Sequence, residues 1–316
     1  MNAPEPRRGI PGGEDAGPPV TPAGPAGAPL VRHPWVAGAR PRTLPASAVP
    51  VVVGTAVAHA GGHVIWWRAA VALVVSLALQ IGTNYANDYS DGIRGTDDAR
   101  VGPVRLVASG LRPAGAVKKA AFGAFAVAGL AGLALAATAG WWLLVVGAAS
   151  IAAGWLYTGG PRPYGYAGFG EVFVFVFFGV VATAGTVYVQ LEHFTALSWL
   201  AAVAVGFLAV SLLVVNNLRD IPGDTQSGKR TLAVRIGAPA TRRLYCACLA
   251  LPFAFVAGMS ARRIGALLAL VAIPIAIAPA RRVLDGAAGR DLIPVLGDTG
   301  RTQLAFGLLL AVGVWL

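Results

Sequence analysis

An apolar run, residues 69–82, leads directly into the polar stretch Asn84-Tyr85-Ala86-Asn87-Asp88-Tyr89-Ser90-Asp91-Gly92-Ile93-Arg94-Gly95-Thr96-Asp97-Asp98. This stretch holds four of the 14 carboxylates in the chain. On a helix, Asn84, Asn87, Asp88 and Asp91 fall within an arc of about 100°. Acidic side chains at the end of an apolar helix are costly to place there unless a cation binds them. The stretch therefore predicts a helix that ends in a cation-binding site.

A second polar stretch follows another apolar run and reads Asn216-Asn217-Leu218-Arg219-Asp220-Ile221-Pro222-Gly223-Asp224. Asn216, Asp220 and Asp224 are spaced i, i+4, i+8, which places them along one face of a helix. Pro222 has no backbone N–H and clashes with the preceding turn, so we expect it to interrupt this helix and to displace Asp224 from that face. The rest of the chain is expected to act as a scaffold that brings the two acidic stretches face to face.

The composition is that of an integral membrane protein. Of the 316 residues, 56% are hydrophobic and 12% are charged, and the mean hydropathy is +0.66. In a soluble domain about a quarter of the residues are charged. Residues 1–34 contain nine Pro and six Gly without an apolar period, which predicts a disordered tail. We therefore divide the chain into this tail and a transmembrane domain of residues 35–316.

Apolar runs that approach the length of a bilayer span, about 17–25 residues, occur nine times, so the predicted fold is an all-α protein with nine transmembrane helices. The predicted spans are 44–60, 66–86, 116–138, 141–157, 169–190, 196–216, 240–259, 263–280 and 301–316. Of the 25 Lys and Arg residues, 22 lie on one side of these spans. The positive-inside rule places that side in the cytoplasm, together with the N-terminus and both acidic stretches. The net charge of +11 then reflects topology in the cell membrane and does not indicate nucleic-acid binding.

The chemistry of the two acidic stretches points to divalent cations. Ligand sets made of oxygen alone suit Mg²⁺, which is commonly shared with the phosphates of a substrate. A diphosphate also needs cationic side chains, and these adjoin the acids at Arg94, Arg105, Lys118, Lys119, Lys229 and Arg230. The alternative is that acids and bases simply pair in solvated loops. Two matching Asn-x-x-x-Asp units on one membrane side favour the binding site over loop ion pairs.

Further candidates lie near the same side, and each has a structural alternative. Arg42 opens the first span as a substrate contact or as a positive-inside anchor. Tyr157, Tyr164 and Tyr166 flank a short loop, where they form an aromatic belt or stabilise a cationic intermediate. Glu171 is a carboxylate near the membrane with no sequence-local partner except Arg162, so it is a candidate site residue.

With these motifs in order, the chain resembles the UbiA superfamily of intramembrane aromatic prenyltransferases, and most closely its naphthoate branch. The resemblance covers residues 35–316 and implies helices that ring a central cavity, with the two Asp-rich motifs facing each other across its cytoplasmic mouth. It is carried by Arg40-Pro-Arg-Thr-Leu-Pro45, Asn87-Asp-Tyr-Ser-Asp-Gly92, Gly102-Pro-Val-Arg105, Asn216-Asn-Leu-Arg-Asp-Ile-Pro222 and Gly228-Lys-Arg-Thr-Leu-Ala-Val-Arg235.

The resemblance also implies site residues. In the superfamily the first motif is Asn-x-x-x-Asp-x-x-x-Asp, whereas here the third position is Gly95 and the acid lies two residues further on, at Asp97. The implied Mg²⁺ ligands are Asp88, Asp91, Asp97, Asp220 and Asp224, with Tyr157 as a further catalytic residue. The implied substrate contacts are Arg42, Asn84, Asn87, Arg105, Lys118, Asn216, Lys229, Arg230, Tyr164 and Glu171.

The implied reaction transfers a polyprenyl group from polyprenyl diphosphate to 1,4-dihydroxy-2-naphthoate, with loss of CO₂ and diphosphate, as in menaquinone biosynthesis. The nearest alternative is the same transfer to 4-hydroxybenzoate or homogentisate. An alternative from another class is a transporter that uses carboxylates as a relay. The clustering of the acids at one mouth counts against that transporter. Expected partners are the two substrates and the lipid bilayer, while the sequence indicates neither the prenyl chain length nor the oligomeric state.

Overall fold

Helices make up all the regular secondary structure in residues 33–96 and 105–316, the part of the chain that the computed structural model describes. We label ten of them in chain order, leaving single 3₁₀ turns unlabelled. Their bounds are α1 Pro34–Ala39, α2 Pro45–Ala60, α3 Trp66–Ile93, α4 Ala114–Ala139, α5 Leu143–Leu156, α6 Gly170–Leu191, α7 Ala196–Gln226, α8 Leu232–Ser260, α9 Ile264–Leu284 and α10 Leu292–Trp315.

Six of the described helices, namely α3, α4, α6, α7, α8 and α9, are long and apolar enough to cross a membrane. Two further apolar helices, α2 and α5, are shorter. The prediction of an all-helical, multi-pass membrane protein is therefore confirmed. The count of nine spans stays a prediction, because α2, α5 and α10 do not meet the same criteria of length and composition.

Helix α7 lies at the centre of the bundle and packs against α2, α6, α8 and α10, whereas α3 packs mainly against α4 and less extensively against α2 and α5. Within α6, residues Phe175–Ala184 form a π-helical segment that lies on α7. The approach there is close, because a Cβ added to Gly179 would lie 2.4 Å from the Cα of Gly206. Small residues at such contacts let helix backbones approach closely. In lipid this close packing matters because the hydrophobic effect does not drive helices together there.

Helix α3 continues seven residues beyond the predicted span 66–86 and includes the acidic residues, as their helical spacing predicts. It runs to Ile93, and Gly95 then adopts a left-handed backbone with φ of 68°, a conformation that glycine accepts without a steric penalty. Asn84, Asn87, Asp88 and Asp91 are therefore all on the last two and a half turns of one continuous helix.

Helix α7 contradicts the expectation for Pro222. The helix continues through this residue to Gln226, so the prediction that Pro222 interrupts it is wrong. Proline removes one donor, the one that would bond to the carbonyl of Leu218. The following turn still closes, since Ser227 N donates to the carbonyl of Gly223 at 2.9 Å. Asp224 consequently stays on the helical face that the i, i+4, i+8 spacing defines.

The two ends of the bundle differ in chemistry. We call the end where α3 and α7 finish the acidic end. At the opposite end, Arg68 on α3 donates to the carbonyls of Val189 (2.8 Å) and Thr138 (2.6 Å) and pairs with Glu192 at 3.2 Å. This arginine connects α3, α4 and α6, which indicates a structural role at that end.

Candidate active site at the acidic end

Asp91 receives several hydrogen bonds from distant parts of the chain. Its carboxylate is 3% exposed and accepts from Lys229 Nζ at 3.3 Å, from Thr96 Oγ1 at 3.4 Å and from the Tyr166 hydroxyl. Buried carboxylates are stable only when charges and donors compensate their loss of water. Asp91 is therefore the point where the end of α3, the α5–α6 loop and the loop after α7 meet.

Lys229 joins the two acidic stretches. Its backbone N–H donates to the carbonyl of Asp224 at 2.8 Å, so its position is fixed by the end of α7. Its ammonium reaches Asp91 on α3 and lies 4.7 Å from the centre of the Tyr166 ring. The ring face contributes a cation–π attraction, so the lysine is held between a carboxylate and an aromatic face.

Tyr166 donates to Asp91 from the α5–α6 loop, and its carbonyl accepts from Arg230 N at 2.9 Å. Burial raises the pKa of the Tyr166 phenol above its usual value, and the adjoining Asp91 carboxylate acts in the same direction. The phenol is thus a hydrogen-bond donor throughout the physiological pH range. Arg94 packs beside the same ring, 5.6 Å from its centre, and donates to the carbonyls of Thr158 and Gly160.

Asp88 faces a different segment from Asp91. It is fully buried, and its two carboxylate oxygens accept from the backbone N–H groups of Leu106 (2.9 Å) and Val107 (3.3 Å). Arg105, buried as well, precedes these two residues. The structure thus places Asp88 where it positions the chain that follows residue 104.

The amides of the first stretch also hold neighbouring segments. Asn84 accepts from Arg40 Nη1 at 3.3 Å and donates to the carbonyl of Ala39 at 2.9 Å. Asn87 accepts from Thr158 Oγ1 at 2.8 Å. Both predicted substrate contacts are therefore hydrogen-bonded to other parts of the chain.

In the second stretch the described contacts are mainly local. Asp220 accepts a two-pronged bond from Arg219, with Nε–Oδ1 at 2.7 Å and Nη2–Oδ2 at 2.9 Å. Asp224 Oδ2 accepts from Thr231 Oγ1 at 3.4 Å. Asn216 donates to the carbonyl of Leu212, one turn back, at 3.0 Å.

Glu171 lies at the start of α6 and accepts from Asn217 Nδ2 at 2.9 Å. Tyr157 lies beside the residue that precedes Glu171, since a Cβ added to Gly170 would lie 3.3 Å from the Tyr157 hydroxyl oxygen. Tyr164 packs behind it, with its ring 5.5 Å from that of Tyr157 and its hydroxyl donating to the carbonyl of Ala153 at 2.8 Å. Glu171 and Tyr157 are therefore neighbours at the mouth of the helices, while the Tyr164 hydroxyl is committed to the backbone.

The remaining candidates are placed less centrally or lie outside the description. Lys118 is exposed and lies over the ring of Tyr89 at 5.6 Å, and the side chain of Arg230 is exposed. Asp97 and the side chain of Arg42 lie outside the described residues.

Several residues of this end were missed by the sequence reasoning. Arg40, Thr158, Asn217 and Arg219 contact motif residues directly, and Tyr166 was weighed only as one of three loop aromatics. Two of these, Asn217 and Arg219, lie inside the second motif itself. A prediction that treated every polar residue of a motif as a candidate would have found them.

The donor set fits a hard divalent cation that is completed by substrate. Asp91 and Asp220 are buried carboxylates held by cationic side chains, and such oxygens are the ligands that Mg²⁺ prefers. Among the described residues there is no group of three or more His, Cys, Asp or Glu side chains that could hold a metal alone. Mg²⁺ is commonly bound by one or two carboxylates together with waters and substrate phosphates, which is the mode that this arrangement accommodates.

Fold and site together define a multi-pass helical membrane protein with a charged site at one end of its helices. A model of the UbiA prenyltransferase family matches residues 47–315, and the chain belongs to this family. The 1,4-dihydroxy-2-naphthoate octaprenyltransferase of Mycobacterium tuberculosis is 52% identical over 277 residues, which is 88% of this chain and 95% of that protein. The protein of the same name from Escherichia coli is 37% identical over 293 residues, with 89% and 95% covered.

The fold is shared with solved structures of the family. A UbiA homolog from Archaeoglobus fulgidus, bound to DMAPP and Mg²⁺, matches with a TM-score of 0.59 at 15% identity, covering 89% of this chain and 100% of that one. The predictions of the superfamily and of its helical fold are confirmed.

Proposed function

We propose that this protein transfers a polyprenyl group from polyprenyl diphosphate to 1,4-dihydroxy-2-naphthoate, releasing CO₂ and diphosphate and forming demethylmenaquinol. The proposal is supported by full-length similarity to proteins named for this transfer. In the structure it is carried by one observation: Lys229, next to the second acidic stretch, contacts Asp91 of the first. A carboxylate for a metal and an ammonium for a diphosphate thus meet at one point.

Acidic and basic residues have different roles in the release of diphosphate. Mg²⁺ would be held by carboxylates of the two stretches, Asp91 on α3 and Asp220 with Asp224 on α7, each set completed by waters and diphosphate oxygens, and Asp97 is a further candidate of the first stretch. Lys229, with Arg105 and Arg230, neutralises the oxygens of the leaving diphosphate through charge-assisted hydrogen bonds. Mg²⁺, when bound, supplies further charge stabilisation as the C–O bond breaks. The departing group thereby leaves an allylic cation.

The apolar helices protect that cation. An isoprenoid tail partitions into lipid and among apolar side chains, whereas the diphosphate stays at the polar end. Exclusion of water prevents quenching of the cation before the electron-rich naphthoate attacks it. The half-buried Tyr157 lies beside Gly170, the residue before Glu171, and its ring would stabilise positive charge there.

The proposed location is the cell membrane, with the acidic end in the cytoplasm. The support is the division of Lys and Arg residues, 22 of 25 on that side, since the positive-inside rule places basic loops in the cytoplasm. The charged substrates are then supplied from the compartment that the site faces.

Product analysis tests the function. Purified protein in detergent is offered 1,4-dihydroxy-2-naphthoate, 4-hydroxybenzoate and homogentisate, each with prenyl diphosphates of several lengths. We expect a prenylated product from the naphthoate with Mg²⁺, and none in EDTA. A product from 4-hydroxybenzoate or homogentisate instead would establish the alternative acceptor. Absence of diphosphate release with every pair would contradict prenyl transfer and favour a transporter.

A further inference from the structure

Glu171 has one carboxylate oxygen that the protein leaves without a hydrogen bond. Oε1 accepts from Asn217 at 2.9 Å, whereas Oε2 is shielded from solvent and has no hydrogen-bond partner among the described residues. The residue as a whole is 7% exposed. Buried polar atoms in native proteins are nearly always paired, so an orphaned carboxylate oxygen indicates a missing partner.

The residue that holds Glu171 lies deeper in the bundle than Asp220. This residue, Asn217, lies three residues before Asp220 on α7, on the same face and about 4.5 Å further into the bundle at 1.5 Å per residue. The carbon that reacts lies on the membrane side of the diphosphate, because the prenyl tail continues into the apolar region. Glu171 therefore adjoins the place where an acceptor must meet the allylic carbon.

We propose that Glu171 is the base that takes the hydroxyl proton of the aromatic acceptor, an inference that rests on the proposed function. The acceptor hydroxyl donates to Oε2 and supplies the missing partner. Asn217 holds Oε1 and so fixes the carboxylate against α7. Glu171 is then a catalytic residue, in contact with the acceptor, and Asn217 is a positioning residue.

With this proton transfer, every bond and proton in the proposed reaction is accounted for. The acceptor O–H bond breaks, its proton goes to Oε2, and its electron pair becomes a ring C=O bond. A ring π pair forms the new C–C bond to the allylic carbon, whose C–O pair has left on diphosphate. The ring carboxylate then departs as CO₂, and its C–C pair restores the aromatic ring. The oxygen finally recovers the proton from Glu171.

The variant Glu171→Gln distinguishes a base from a residue whose only role is the structural hydrogen bond to Asn217. The amide oxygen of Gln can still accept from Asn217, but the side chain cannot take a proton. We expect the kcat for prenyl transfer to fall about 100-fold, the usual range for a general base, with the KM for prenyl diphosphate unchanged. Glu192→Gln, at the opposite end of the bundle, is the matched control and should leave both constants within about twofold, because Glu192 is exposed and Arg68 keeps its bonds to the carbonyls of Val189 and Thr138.

The two monomethyl ethers of the dihydroxynaphthoate provide the decisive readout. With the ether that blocks the proton-donating hydroxyl, wild-type protein and Glu171→Gln should react equally slowly, while the other ether preserves their difference. Glu171→Asp keeps a base and should retain this selectivity at reduced rate, so the inference can still be tested if the Gln variant folds poorly.

A Gln variant whose kcat on the free acceptor is within about threefold of wild type overturns the inference. So does an equal slowdown with both ethers, which is the result expected of the structural hydrogen bond alone. If wild-type protein prenylates no acceptor, the proposed function itself fails.

Discussion

The two acidic segments have similar sequences, but their carboxylates contact different parts of the chain. Asp91 on α3 accepts from Tyr166 and Lys229, which lie 75 and 138 positions away. Asp220 on α7 is bound by Arg219, its immediate neighbour in sequence. Through Asp91 the first segment therefore joins distant parts of the chain, whereas Asp220 and Asp224 of the second segment accept from residues one and seven positions away.

This difference has a physical origin in the helices that carry the segments. Helix α7 is at the centre of the bundle and is packed on several sides, and its end bonds to the loop that follows it, where Asp224 Oδ2 accepts from Thr231 Oγ1. Helix α3 packs mainly on α4 and less extensively on α2 and α5. Its end meets the loops after α5 and α7 through hydrogen bonds to Asp91 and through cation–π contacts with the Tyr166 ring. A similar pair of motifs thus supports one shared chemistry but two different structural roles.

Removing one carboxylate from each segment should produce the largest effect on activity. We expect Asp91→Asn and Asp220→Asn each to lower the kcat for prenyl transfer about 100-fold or more, since each removes a charge that acts in the transition state. The variants should differ in local order. Amide hydrogen exchange in residues 227–231 should rise in Asp91→Asn, which releases Lys229, and stay near the wild-type level in Asp220→Asn.

Equal exchange in the two variants would contradict the structural difference between the segments, whatever their activities. Thermal unfolding in the same detergent provides the control that both variants remain folded. Full turnover by wild-type protein in EDTA, without added divalent cation, would exclude the metal role that both aspartates share in the proposed function.

The lysines that follow the two segments sharpen the comparison at a smaller scale. Lys229→Gln removes a buried ammonium beside Asp91 and should raise the KM for polyprenyl diphosphate about tenfold or more, since hydrogen bonds to charged groups contribute about 1.5–3 kcal/mol. Lys118→Gln is the matched control. This lysine is exposed on the ring of Tyr89, so its KM should stay within about threefold of wild type. A similar rise in both variants would show that the start of α4 contributes to the diphosphate site as much as the loop after α7.

The sequence was sufficient for the class of fold and for the helices that carry the site. Apolar run length and the Lys/Arg pattern depend only on local composition, and the helical spacing places Asn84 to Asp91 on one helix end. The partners of these residues could not be predicted in the same way. The bonds of Asp88 to Leu106 and Val107, and of Asn84 to Arg40, depend on how segments 18 to 44 positions apart pack together.

At Pro222 the prediction failed for a different reason, because a local rule about proline was applied too strictly. The rule that proline interrupts a helix holds where its missing donor and its ring clash are uncompensated. Here the helix needs only one more turn, and Gly223 and Ser227 close it. Packing of α7 in the bundle core outweighs the local preference, which is the usual reason that propensity fails.

The smallest effect is expected for Tyr166→Phe, which removes the hydroxyl bond to Asp91 but keeps the ring under Lys229. Because Lys229 and Thr96 still donate to Asp91, we expect a loss of about 1 kcal/mol in stability, the usual contribution of one hydrogen bond. The kcat for prenyl transfer should fall by less than tenfold.

The pH dependence of stability tests the Tyr166–Asp91 bond more directly than the size of this loss. The folded-state pKa of Tyr166 is raised by burial and by Asp91, so the folded protein holds this proton more tightly than the unfolded chain. The resulting stability is fully present below the ordinary tyrosine pKa of about 10 and is lost as the pH rises above it. Thermal unfolding of both proteins from pH 8 to 11 measures this. The stability difference between wild type and Tyr166→Phe should be constant up to about pH 9.5 and shrink above it, because only wild type has a phenol to ionise here. A difference that stays constant to pH 11 would show that Asp91 is held by Lys229 and Thr96 alone, and that the α5–α6 loop is not coupled to the first acidic segment.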